Sequence, residues 1–153
     1  MTNDASPRTT ADLLRAATAA HPDREAYVHG QKRVSYAWLD RAADGFAATL
    51  IDRGVAPGDV VCLLLPSSIK FAACYLGALR AGAITSAINL RLGRSEKASI
   101  LERTQPAVTV VGDGVELPDG VDVGGRDEAR AARPCVGPCA AAHVCVRCSR
   151  RVR

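Results

Sequence analysis

The feature that most constrains the fold is an unbroken apolar run at residues 60–65, which Pro66 ends. A strand that helices cover on both faces has this composition, whereas a half-exposed strand alternates apolar and polar residues. Helical spacing follows as far as Gly82, and a second apolar strand is predicted at residues 83–88. The apolar positions of that helix are Ile69, Ala72, Ala73, Leu76 and Leu79. The segment is therefore predicted to be a right-handed strand–helix–strand crossover.

A second crossover is predicted directly after the first. Its helix begins at Arg94 or Ser95 and ends near Gln105-Pro106, and a third apolar strand follows at residues 107–111. Two consecutive crossovers predict an α/β fold, here part of a doubly wound, mainly parallel sheet flanked by helices. After that only weak strand character is found, around Val121 and Val123.

Two helices and a hairpin are predicted before the first crossover. Thr9 and Asp12 have the spacing of a capping box at a helix start. Glu25–His29 and Lys32–Ser35 have the pattern of a short hairpin. Ser35 is placed to cap a second helix, which is amphipathic. Its apolar positions are Leu39, Ala42, Ala43, Phe46, Ala47 and Leu50.

Charge and cysteine content divide the chain near residue 126. Residues 1–128 carry a net charge of −2, whereas residues 129–153 hold six Arg and no Asp or Glu. Four of the six cysteines lie in the same segment, at positions 135, 139, 145 and 148. We therefore predict a flexible N-terminus at residues 1–8, an α/β domain at residues 9–125, and a disordered Arg/Cys-rich tail at residues 126–153.

The tail has two competing interpretations. Cys135, Cys139, Cys145 and Cys148, with His143 between them, include the residue types that a structural zinc ion needs. However, the two cysteine pairs are only five residues apart, and no Leu, Ile or aromatic residue follows Leu117 to form a core around a metal. We therefore assign no metal site. We hypothesise instead that the tail is translated out of frame, because charge, aliphatic content and periodicity all change together.

Several short motifs occur in a fixed order between residues 9 and 113. They are Ser35-Tyr36, residues 54–61, Leu65-Pro66-Ser67, residues 76–83, Asn89-Leu90-Arg91-Leu92 and Pro106-Ala107-Val108. In this order and spacing they resemble the opening third of the adenylate-forming acyl-CoA synthetases, the AMP-binding ligase family. Leu90 departs from the proline that the family usually has between the Asn and the Arg. The resemblance implies an incomplete N-terminal subdomain of the AMP-binding ligase fold.

The resemblance implies a parent reaction with two steps. A carboxylic or fatty acid reacts with ATP to give acyl-AMP, and the acyl group then passes to coenzyme A, so ATP, Mg²⁺ and coenzyme A are implied for the intact family. Its chemistry needs a Ser/Thr/Gly-rich phosphate loop near a Pro-Lys and a Thr-Glu pair for magnesium. Neither occurs in this sequence, whose only lysines are Lys32, Lys70 and Lys97. We therefore assign no catalytic, cofactor-binding or metal residue, and expect a truncated synthetase that binds no cofactor and is inactive alone.

Two other interpretations are kept open. The chain could be a small α/β binding or regulatory protein with a zinc-binding basic tail, or a domain that complements a separate chain bearing the missing motifs. The basic tail predicts no specific nucleic-acid partner, because no aromatic residues are interleaved to stack bases. The polar start and the lack of an apolar run near ~20 residues predict a cytosolic protein without a membrane span. The oligomeric state is not predicted.

The remaining candidate residues are given structural roles. His21 is expected at a helix end and His29 on the hairpin surface. Asp40, Asp44 and Asp52 are expected on the solvated face of their helix. The turn at residues 112–114 lacks the glycine spacing of a dinucleotide-binding loop, so no nucleotide fingerprint is assigned.

Overall fold

The computed structural model describes residues 9–118 and the backbone of residues 145–148. The helices are α1 Thr10–Ala20, α2 Tyr36–Asp52, α3 Ile69–Arg80 and α4 Arg94–Thr104. The strands are β1 Glu25–His29, β2 Lys32–Ser35, β3 Val60–Leu64, β4 Ile84–Ala87, β5 Val108–Val111 and β6 Cys145–Cys148. The elements through β5 agree with the sequence prediction to within one or two residues at each end. Within residues 9–118, no helix is both long and apolar enough to cross a membrane.

Helices α1 and α2 begin at the predicted capping residues. The Asp12 amide donates to Thr9 Oγ1 at 3.1 Å, and the Thr9 amide donates to Asp12 Oδ2 at 3.0 Å, so the capping box is confirmed. The Trp38 amide donates to Ser35 Oγ at 3.3 Å, which caps α2 directly after the hairpin of β1 and β2. The cap thus fixes where the hairpin ends and α2 begins.

Helices α1, α2 and α3 form one layer. The predicted apolar stripe of α2 is buried, and α2 runs antiparallel to α3, with Asp40 near Arg80 and Phe46 near Gly77. A Cβ at Gly77 would lie 2.9 Å from Phe46 Cβ and 2.6 Å from the Ala43 carbonyl oxygen. Because no ordinary Cβ contact is that short, the absence of a side chain at Gly77 sets how closely the two helices pack.

The larger sheet has strand order β4-β3-β5-β6, and β3 pairs in parallel with both β4 and β5. Val61 and Leu63 of β3 pack into the core beneath α1, α2 and α3. Cys62 and Leu64 face the other side, where they pack with Leu101 of α4. Helices therefore cover both faces of β3, which explains its unbroken apolar sequence.

The two crossovers run in opposite directions along the sheet. The chain passes from β3 through α3 to β4 on one side, and from β4 through α4 to β5 on the other side of β3. Helices α3 and α4 lie on opposite faces, which is the arrangement that right-handed crossovers give when their direction reverses. The predicted doubly wound, mainly parallel sheet is confirmed.

The structure corrects the predicted disorder of residues 126–153 at one place. The backbone of Cys145–Cys148 forms β6, which pairs antiparallel with β5. The open edge of a sheet offers unpaired backbone groups to any short segment, so this pairing needs no periodic sequence pattern and was not predicted. The predicted flexible residues 1–8, the domain boundary near Gly125 and the rest of the predicted tail lie outside the described residues.

Candidate functional site

The carboxyl ends of β3 and β5 are the place where this fold class predicts a ligand crevice. After β3 the chain enters α3 on one face, and after β5 it continues to Val115 and Leu117, which pack on the other face. Ligands of open α/β sheets bind where connections from neighbouring strands diverge in this way. The two loops at this point are residues 66–68 and residues 112–114.

These two loops contact each other closely. A Cβ at Gly112 would lie 3.2 Å from Pro66 Cδ, so there is little room between them. Lys70 Nζ lies 3.5 Å from Asp113 Oδ2, and this ion pair joins the first turn of α3 to the second loop. Ser68 Oγ accepts from the Phe71 amide at 3.2 Å and thereby caps α3. The side chains of Ser68, Lys70 and Asp113 are therefore used in contacts within the chain.

The described residues also line one open cleft at the same edge, beside α4. Its lining residues are Leu90, Arg94, Lys97, Gly114, Val115 and Glu116. Its volume is about 410 Å³, and the Arg94–Glu116 ion pair of 2.7 Å crosses it. The side chains of that pair are 57% and 80% exposed, so solvent screens the interaction.

A buried ion pair joins α2 to α3. Arg80 Nη2 donates to Asp40 Oδ1 at 2.6 Å, and Nη1 donates to Asp44 Oδ1 at 2.7 Å and to the Asp40 carbonyl oxygen at 3.0 Å. The Arg80 side chain is only 6% exposed. Arg15 of α1 approaches Asp44 at 3.8 Å, so the group reaches all three helices of that layer. We call Arg80, Asp40 and Asp44 the Arg80 clamp.

The charges of the clamp stabilise one another. Burial by itself lowers the pKa of Arg80, but the hydrogen bonds and charges of Asp40 and Asp44 outweigh it, so the pKa lies above the ordinary arginine value. Arg80 is therefore fully charged and satisfies two carboxylates. Its arrangement holds helices together and presents no free charge to a ligand.

The clamp was not predicted from the sequence, and its two aspartates were expected on the solvated face of α2. That expectation is wrong for Asp40, whose side chain is 21% exposed and bonded to Arg80. The available signal was the spacing of Asp40 and Asp44, which places both carboxylates on one face of α2. The sequence could not supply the partner, because Arg80 lies 40 positions from Asp40.

Cys62 has the environment of an unreactive thiol. It is fully buried, and its Sγ lies 3.5 Å from Thr104 Oγ1. The Thr104 hydroxyl also donates to the Ile100 carbonyl oxygen at 2.7 Å. Burial raises the pKa of Cys62 although hydrogen bonds with Thr104 and Ser86 oppose it, so the nucleophilic thiolate is disfavoured.

The described residues contain no group of three His, Cys, Asp or Glu side chains that could hold a metal ion. His21 follows the last turn of α1, and His29 ends β1 on an exposed surface, as predicted. The zinc ligands considered in the tail, Cys135, Cys139 and His143, lie outside the described residues, and Cys145 and Cys148 are described only as backbone of β6.

Comparison with protein families gives a match over most of the chain. A sequence model of the family described as AMP-binding enzyme matches residues 14–148. The match begins inside α1 and includes every later element of the described structure. It also extends past residue 113, where the resemblance found from the sequence ends. The out-of-frame origin of the tail stays a hypothesis.

Curated relatives include coenzyme A ligases of mycobacteria. The chain is 34% identical over 102 residues to long-chain-fatty-acid–CoA ligase FadD13 of Mycobacterium tuberculosis. The aligned region covers 65% of this chain and 20% of the relative. It is 40% identical over 86 residues to a medium/long-chain-fatty-acid–CoA/3-oxocholest-4-en-26-oate–CoA ligase of Mycobacterium marinum. This aligned region covers 56% of this chain and 16% of the relative. The chain spans about a fifth of the length of these relatives.

Solved structures give the same result. The Mycobacterium tuberculosis fatty acyl CoA synthetase superposes with a TM-score of 0.65 at 33% identity, covering 67% of this chain and 21% of that one. The N-terminal subdomain of Klebsiella oxytoca NpsA superposes with a TM-score of 0.68 at 21% identity over 72% of this chain and 29% of that one, and shows the shared fold. The chain belongs to the AMP-binding enzyme family, as an N-terminal part of its acyl-CoA ligases.

Proposed function

We propose that this chain serves in the ATP-dependent activation of a carboxylic acid, a fatty acid in the first instance, and its transfer to coenzyme A. Its part in that reaction is to form the scaffold of the N-terminal subdomain. The observation that carries the proposal is the family match over residues 14–148. It is supported by relatives that are named as fatty-acid–CoA ligases.

The scaffold role is supported by what the described side chains do. Lys70, the lysine nearest the carboxyl edge of β3, is paired with Asp113. Ser68 caps α3, and Gly112 packs against Pro66. None of these groups is arranged to cradle phosphates, and residues 9–118 hold no metal-binding group of three ligands. Residues 9–118 by themselves therefore do not fit ATP with Mg²⁺.

We further propose that the 153-residue chain alone does not catalyse either step. Offsetting the charge of a triphosphate needs several converging amides and a cation or metal. A ligase built on this scaffold would take those groups from other residues, with the sheet β4-β3-β5 holding them in position. A cytosolic location belongs to the same proposal, and cell fractionation would test it.

A chimera tests the scaffold role directly. The segment of M. tuberculosis FadD13 that aligns with this chain is replaced by the corresponding residues of this chain, and thioester formation from fatty acid, ATP and coenzyme A is measured. We expect a folded chimera that keeps activity within about tenfold of the parent, a difference of about 1.4 kcal/mol in barrier. A folded but inactive chimera would contradict the scaffold role.

The inactivity of the chain alone is tested by ATP–pyrophosphate exchange with a series of carboxylic acids. We expect no exchange above background, with the FadD13 parent as the positive control. Exchange by the purified 153-residue chain would show that the missing phosphate loop is replaced by other residues.

A further inference from the structure

We propose that β6 covers the edge of β5 and thereby keeps a second copy of this chain from pairing with that edge. All four residues of β5 are β-branched and uncharged, and all are buried. Such a strand has high β-propensity, and nothing in its sequence opposes pairing with another chain. If the edge were open, it would be an effective site for self-association.

The hydrogen-bond alternation of β5 shows which backbone groups β6 covers. The Gly112 amide donates to the Leu64 carbonyl oxygen, towards β3. Because the direction of backbone groups alternates along a strand, the Val108 and Val110 amides also point towards β3, and the Thr109 and Val111 amides point towards β6. Val110 lies opposite Val146, and Thr109 opposite Arg147. Thr109 and Arg147 are therefore the hydrogen-bonded pair, and the Val146 amide points away from β5.

The occupant that fits the uncovered edge is another β5. The edge accepts an antiparallel strand, as its pairing with β6 shows. Two copies of one strand related by a two-fold axis also meet antiparallel, and such an isologous contact closes at a dimer. Two β5 strands would bring together uncharged β-branched residues, with no like charges to repel each other.

The opposite edge of the sheet, at β4, is a distinguishable alternative. The Ile84 and Ile88 amides donate to carbonyl oxygens of the β3 side, at Asp59 and Leu63. By the same alternation the Thr85 and Ala87 amides point away from β3. A dimer through β4 would therefore protect the Thr85 and Ala87 amides, whereas a dimer through β5 would protect the Thr109 and Val111 amides.

The test compares two proline variants of the full chain, which remove amides that point to opposite sides of β6. Arg147→Pro removes an amide that donates to β5, whereas Val146→Pro removes an amide that points away, a position where edge strands tolerate proline. Self-association is measured by sedimentation velocity. Exchange of the Val110, Thr109 and Thr85 amides is measured by NMR at low and high protein concentration.

We expect slow exchange of the Thr109 amide in the wild type and in Val146→Pro. In Arg147→Pro we expect fast exchange of the Thr109 amide at low concentration, protection that rises with concentration, and an association constant about tenfold or more higher than in the wild type. The Val110 amide stays protected in all three. These results together support the proposal.

Any of four results would overturn it. They are fast Thr109 exchange in the wild type, an Arg147→Pro variant that exchanges fast but does not associate more, an Arg147→Pro variant that behaves like the wild type, and association that protects Thr85 rather than Thr109. If Arg147→Pro also loses protection at Val110, β6 is required for folding and is not a removable cover, which equally contradicts the proposal.

Discussion

Gly77 of α3 lies directly against Phe46 of α2, and a Cβ at Gly77 would be 2.9 Å from Phe46 Cβ. Glycine inside a helix usually costs about 1 kcal/mol relative to alanine, so its presence here has to be explained by packing. The explanation is the distance between the helices, since the Ala43 carbonyl oxygen lies still closer to that position. α2 and α3 therefore pack on backbone atoms at this point.

The first prediction is that Gly77→Ala destabilises the protein despite the better helix propensity of alanine. The added methyl group has to push α2 away from α3, and overpacking of this kind costs about 1–3 kcal/mol. Urea unfolding followed by Trp38 fluorescence measures the change. Unchanged or increased stability would mean that the two helices can separate at little cost.

The second prediction concerns the Arg80 clamp. Arg80→Ala leaves Asp40 partly buried without its partner, and we expect a loss of about 2–4 kcal/mol, because removing one member of a buried pair is strongly destabilising. The matched control is Arg33→Ala, which breaks the exposed pair with Glu25 and is expected to cost about 0.5 kcal/mol or less. Equal effects of the two substitutions in urea unfolding would contradict a special role for the clamp.

The third prediction is a pH dependence that arises from Cys62. Because burial raises the pKa of its thiol, the unfolded chain loses this proton at lower pH than the folded chain. The contribution to stability is therefore complete below the ordinary thiol pKa of about 8.5 and is lost as pH rises towards the higher folded value. Between about pH 8 and 10, Cys62→Ala should lose less stability than the wild type. Urea unfolding at each pH measures the free energy of unfolding of both proteins. If it changes with pH by the same amount in Cys62→Ala and in the wild type, this contribution is excluded.

The fourth prediction compares two glycines with positive φ angles. Gly54 has φ 81° and no atom within 4 Å of the place a Cβ would take, whereas Gly82 has φ 77° and Pro57 Cβ at 3.1 Å from that place. Gly54→Ala should cost about 1–2 kcal/mol, from the left-handed backbone alone. Gly82→Ala carries the same strain and also displaces Pro57, so it should cost more. A thermal or urea unfolding series in which Gly82→Ala is the milder change would rule out the contact with Pro57.

The parts of this fold that are decided by local sequence could be predicted. Residues 60–65 are continuously apolar because helices cover both faces of β3, and that pattern identifies a central parallel strand without further information. Thr9 and Ser35 begin helices because their hydroxyl groups accept helix amides, a contact that spans three residues.

Interactions between distant segments could not be predicted in the same way. Arg80 binds Asp40 because α2 and α3 lie antiparallel at one particular offset, and that offset is set by the packing of Gly77 against Phe46. β6 could not be predicted because its pairing with β5 depends on backbone groups at an open edge. For the functional site, the sequence could show which phosphate-binding motifs it lacks, but not that Lys70 is paired with Asp113.

The central position of β3 has a consequence for how the chain is made. β3 is synthesised before both of the strands that flank it, since β4 and β5 come later in the sequence. At a translation rate of roughly 5–20 residues per second, β5 is synthesised several seconds after β3. Until then the edge of β3 that β5 will occupy stays unpaired. During that interval the nascent polypeptide displays its most apolar strand, and whatever binds that strand on the ribosome competes with the arrival of β5.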